Sequence, residues 1–72
     1  MLISEFSILT YNDKLKLINQ TGKLQKILVR GDYKFSLYKL KDFYVELKRK
    51  LHEFTFDTIL AMNDEDLPLA YK

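Results

Sequence analysis

The stretch Tyr33-Lys34-Phe35-Ser36-Leu37-Tyr38-Lys39-Leu40-Lys41-Asp42-Phe43-Tyr44-Val45-Glu46-Leu47 decides the fold. Its period is two. Tyr33, Phe35 and Leu37 alternate with Lys34, Ser36 and Tyr38, and Phe43, Val45 and Leu47 alternate with Tyr44, Glu46 and Lys48. Successive side chains of a strand point to opposite faces, so each run reads as a half-buried strand. The connection then sets the register. A two-residue turn at Lys41-Asp42 pairs Leu37 with Glu46 and sends the two apolar sets to opposite faces. A three-residue loop, Leu40-Lys41-Asp42, pairs Leu37 with Val45 and Phe35 with Leu47, which gives the hairpin one apolar face. This second register is the expected one, and it asks Asp42 to adopt the left-handed backbone that Asp tolerates better than most residues.

Working outward, Gly31-Asp32 has the Gly-first order of a type II′ hairpin turn and joins strand two to a strand over residues 24–30. Leu28 then shares a side with Phe35, and Ile27 and Val29 fall beside Ser36 and Lys34 on the other. On the C-terminal side, a loop over Arg49 to His52 pairs Leu47 with Phe54 and Val45 with Phe56, completing a four-stranded antiparallel meander. The first twenty residues read as helix in two pieces. Ser4 caps a turn running to Leu9, Thr10 with Asp13 three residues on caps a second helix, and Gly22 ends it. Leu15 and Ile18 share one helical face, with polar residues on the other.

The expected architecture is therefore α+β, one domain over residues 1–72, with N-terminal helices on one face of the meander. The expected core is Phe6, Leu15, Ile18, Leu28, Phe35, Leu37, Phe43, Val45, Leu47, Phe54 and Phe56. Asn63 to Lys72 carries Asp64-Glu65-Asp66 and Pro68, which permits a short helical turn. This tail has net charge −2 against +4 for the residues before it, so it is suited to dock on the domain's basic side.

With 72 residues there is room for one core, and a core of that size supplies only about 3 to 5 kcal/mol. There is no Cys and a single His, so neither a disulfide nor a usual metal ligand set can brace it. Oligomerisation is the remaining brace. No apolar run reaches the length of a membrane span, Met1 to Leu9 lacks the pattern of a secretory signal, and a cytoplasmic protein is expected. Net charge of +2 selects no partner by itself.

The chemistry of a catalyst is missing from the pattern. His52 is the sole histidine and falls in a loop; Asp64-Glu65-Asp66 lacks the spacing of a calcium loop; Gly22 and Gly31 fit no phosphate-cradling motif. No catalytic, cofactor, metal or small-molecule site is expected. Strand one, apolar on both faces, places Ile27 and Val29 with Tyr38 and Tyr44 on the second side of the sheet, a candidate protein-binding or homodimer patch. Lys48, Arg49 and Lys50, expected on the third hairpin loop, form the densest basic cluster and, with Tyr38 and Tyr44, make a weak nucleic-acid surface the alternative.

The segment Leu37 to Leu47 resembles a hairpin of the kind L-Y-x-L-x-G-F-Y-V-E found in small bacterial proteins without assigned function, with Asp42 standing where those tend to carry Gly. That resemblance implies short N-terminal helices followed by a β-meander. It implies no activity, cofactor or catalytic residue. The sequence as a whole leads to a non-enzymatic interaction module or homodimer.

Overall fold

The computed structural model describes residues 1–72. Helices α1 (Ile3–Ser7) and α2 (Tyr11–Thr21) precede strands β1 (Lys23–Arg30), β2 (Tyr33–Lys39), β3 (Tyr44–Lys50) and β4 (Thr58–Met62), and 3-10 turns at Asp64–Asp66 and Leu69–Tyr71 close the chain. The strands form one antiparallel sheet in the order β1-β2-β3-β4. This is the α+β meander that the sequence predicts.

Local signals set the helix ends. The Leu2 N–H donates to Glu5 Oε1 at 2.6 Å, so α1 is capped at Leu2 rather than Ser4. Thr10 Oγ1 accepts from the Asp13 N–H at 3.1 Å and starts α2 as expected. Gly22 ends α2 by donating to the Ile18 carbonyl at 2.8 Å. A Cβ at Gly22 would lie 2.6 Å from that oxygen, so close approach is what requires glycine there.

The β1–β2 hairpin has the expected register, with Leu28 opposite Phe35, Ile27 opposite Ser36 and Val29 opposite Lys34. Gly31, at φ 58°, is the one residue with positive φ, and with Asp32 at negative φ it makes a Gly-first turn. A bulge between Leu24 and Lys26 brings Leu24 opposite Tyr38.

The β2–β3 hairpin overturns the expected register. Leu37 lies opposite Glu46, Tyr38 opposite Val45 and Ser36 opposite Leu47, and the loop is closed by the Leu40 N–H donating to the Phe43 carbonyl at 2.9 Å. Asp42 does not have positive φ, so the expected left-handed Asp42 is also wrong. The premise that failed was a single dry face. One face of the sheet carries the helices and the other carries the C-terminal tail, so apolar residues of β2 and β3 can point to opposite sides and both be buried.

The β3–β4 pairing corrects a second expectation. Leu47 lies opposite Ile59 and Val45 opposite Ala61, in place of Phe54 and Phe56. The connection is longer than the four-residue loop expected, and Arg49 holds it: its Nη1 donates to the carbonyls of Lys50, Leu51 and Glu53 at 3.0–3.2 Å. The Phe56 N–H donates to the Tyr11 hydroxyl at 2.8 Å, tying the connection to the start of α2. Phe54, an expected core residue, is 97% exposed.

The helix-side core is Phe6, Ile18, Leu40, Phe43, Val45 and Leu47, with Leu15, Tyr38, Phe56 and Ile59 packed around it. The Phe6 and Phe43 rings meet edge-to-face at 5.4 Å, the geometry their quadrupoles favour. Leu28, Phe35 and Leu37, expected in this core, face the other way by register. There Leu37 is 2% exposed. Its two cross-strand neighbours, Lys26 and Glu46, are the residues the tail grips. Lys26 Nζ donates to the Ala70 carbonyl at 2.8 Å, and the Tyr71 hydroxyl donates to Glu46 Oε2 at 2.7 Å.

Candidate interaction surfaces

β1 is an edge strand, paired only with β2. Leu24, Ile27 and Val29 share the helix-side face by register, yet they are 50%, 45% and 58% exposed. The helices cover the β3 end of the face and leave β1 bare. An apolar edge strand with unpaired backbone groups is a template for another strand. Leu24 escapes a sequence reading because the bulge shifts its parity.

The four residues grouped by the sequence as one patch are divided by the structure. Ile27, Val29 and Tyr38 lie on the helix side, where Tyr38 packs against the core. Tyr44 lies on the tail side, with Lys39 Nζ 4.3 Å from its ring centre. Ile27 and Val29 remain a pair; Tyr38 and Tyr44 are not part of it.

The basic cluster is also divided. Lys48, Arg49 and Lys50 belong to β3 rather than to a loop, so their side chains alternate. Arg49 is on the helix side and committed to carbonyls, whereas Lys48 and Lys50 are on the tail side. By register that face carries Lys23, Lys26, Arg30, Lys39, Lys48 and Lys50 against one acid of the sheet, Glu46. Aromatic rings sit between these cations. Tyr33 is opposite Lys50, Phe35 opposite Lys48 and Tyr44 opposite Lys39. Lys48 Nζ lies 4.4 Å from the Tyr33 ring centre and 5.9 Å from that of Phe35, contacts worth about 0.5 to 1 kcal/mol at exposed sites. Tyr33 and Phe35 carried no signal of this role, since their cationic neighbours are set by the register.

Two concave features flank the sheet. A cleft of about 520 Å³ opens between the end of α2 and the β2–β3 loop, with Leu17, Leu40 and Phe43 among its apolar walls and Lys23, Lys39 and Lys41 beside them. There the terminal amine pairs with Asp42 Oδ2 at 3.0 Å, and this hydrogen bond holds the Asp42 carboxyl below its ordinary range. A smaller cleft of about 160 Å³ on the tail side is bounded by Leu28, Arg30, Phe35 and Glu46 from the sheet and Pro68, Ala70 and Tyr71 from the tail. Burial, and then the bond to Glu46, push the Tyr71 phenol well above its usual range, so it stays a neutral donor.

His52 is exposed in the β3–β4 connection. No three His, Asp or Glu side chains converge as metal ligands, and no helix is long and apolar enough to cross a membrane. Comparisons with protein-family models, curated proteins and solved structures find no match for the chain.

Proposed function

We propose that this domain is a non-enzymatic interaction module that pairs with a second copy of itself through the free edge of β1. The observation that carries this reading is the exposed apolar row Leu24, Ile27 and Val29 on a strand whose outer backbone groups have no neighbour. Antiparallel self-pairing keeps each face of the sheet continuous and uses the same patch twice, as a two-fold interface requires. Centring the two-fold axis on Leu28 would set Lys26 against Arg30 of the second copy. Centring it on Ile27 avoids that repulsion, opposing Ile27 to its own mate and Leu28 to Lys26.

The pairing also answers the stability problem. A helix-side core of six residues is small, and a partner that binds only the folded chain adds to its stability by mass action. A cysteine-free chain suits a reducing compartment such as the cytoplasm. Light scattering on the full chain at about 100 μM, where mass action favours association, should give the mass of a dimer, and Ile27→Lys should give that of a monomer. A monomer mass for both would remove the self-pairing reading.

A further inference from the structure

We infer a second binding surface, for single-stranded nucleic acid, on the tail-side face of the sheet at the end formed by Arg30, Tyr33, Phe35, Lys48 and Lys50. The sign of the charge is the first support. The chain as a whole is nearly balanced at +2, but the strands turn six cations and one acid to this face. Glu46, the one acid that the strands contribute, is engaged by the Tyr71 hydroxyl, and Lys26 is engaged by the Ala70 carbonyl. The cations left at this end are Arg30, Lys48 and Lys50, with Lys23 and Lys39 farther along.

The rings supply the second support. Tyr33 and Phe35 lie two residues apart on β2, so both rings stand on the same side of the sheet, close enough for Lys48 Nζ to reach both. Bases stack on such a platform whatever their identity. Lys48 now covers the rings, but an exposed cation–π contact is weaker than a stacked base, and the freed ammonium can move to a phosphate. The cleft bounded by Phe35, Arg30 and Tyr71 adds a recess at the edge of the platform.

These features select among polyanions. A duplex keeps its bases stacked inside and could use only the cations, whereas a single strand can use cations and rings together. An acidic peptide would likewise leave the rings idle. Of the residues of this surface only Arg30 lies on β1; the rings and both lysines belong to β2 and β3, so the surface does not require the self-pairing proposed above.

The test is fluorescence polarisation with the full chain and a labelled oligothymidylate of about a dozen nucleotides, long enough for one such site. Each phosphate neutralised on a single strand contributes about −0.7 to the slope of log affinity on log salt. Between about 50 and 200 mM salt, affinity should therefore fall about 20-fold for three contacts and about 50-fold for four. Lys48→Glu should weaken binding and flatten that slope. Tyr33→Leu, which keeps an apolar strand residue, should weaken binding at least about fivefold without changing the slope, and it keeps the test open if Lys48→Glu loosens the sheet. Lys16→Glu on α2 changes net charge equally and should leave binding intact. No polarisation change at low salt overturns the inference, and so does equal loss in Lys16→Glu. Equal affinity for a duplex or for polyglutamate does the same, since either shows a surface that reads charge alone.

Discussion

The two hairpins that share β2 follow different rules. The β1–β2 turn is dictated by Gly31, whose φ of 58° few other residues accept, and its register follows from that one position. The β2–β3 loop has no residue with special backbone geometry. Its register is decided by what lies above and below the sheet: α1 and α2 over Phe43, Val45 and Leu47, and the tail over Leu37. A turn written in local chemistry can be read from four residues, whereas a register set by two roofs needs the whole chain.

The largest test of that contrast is Phe43→Ala. Removing a ring packed on Phe6 costs about 3 to 5 kcal/mol, which is the whole stability expected of a core this size. The variant should be largely unfolded at 25 °C by circular dichroism. A folded variant with the wild-type urea midpoint would show that the helix-side roof does not set the register. Leu37→Ala comes next, at about 2 to 3 kcal/mol, because Leu37 is buried from the opposite side. In a double-mutant cycle its cost should couple to Tyr71 and be close to additive with Val45→Ala. Coupling to Val45 instead would restore the one-faced hairpin.

Gly31→Val and Asp42→Val compare the two turns directly. Forcing a β-branched residue to positive φ should cost about 1 to 2 kcal/mol at position 31. Asp42 has negative φ, so Val there meets no such penalty and should be the milder change. Equal costs in urea unfolding would mean that both turns demand left-handed backbone.

What could be read from the sequence divides along the same line. The Thr10–Asp13 cap, the ends set by Gly22 and Gly31, and the β1–β2 register all rest on near neighbours. The faces of Ile27, Val29, Phe35, Leu37 and Tyr38 do not. One clue was present: Leu40 and Phe43 flank Lys41-Asp42, and treating them as a buried pair across the loop yields the observed register. β4 was misplaced for another reason. Phe54 and Phe56 outweighed the run Ile59-Leu60-Ala61-Met62, and nothing in the sequence announces that Arg49 binds three carbonyls of the intervening connection. The cation–aromatic face was hidden with the register, because it exists only once Lys48 is opposite Phe35 and Lys50 opposite Tyr33.

The smallest expected effect tests the tail itself. Tyr71→Phe keeps the ring over the sheet and deletes the bond to Glu46 Oε2, a partly buried contact whose loss should cost about 1 kcal/mol. Its pH dependence separates this bond from general packing. The phenol is raised above its ordinary value of 10.0, first by burial and then by Glu46, so the folded chain holds this proton where the unfolded chain has released it. The stabilisation is therefore fully present below pH 10 and is lost as pH rises from there toward the folded-state value. The informative quantity is the difference between wild type and Tyr71→Phe. That difference should be constant from pH 7 to 9 and shrink above pH 10. If it stays constant through pH 11, Tyr71 is exposed to solvent, the tail does not roof Leu37, and the second hairpin needs another explanation for its register.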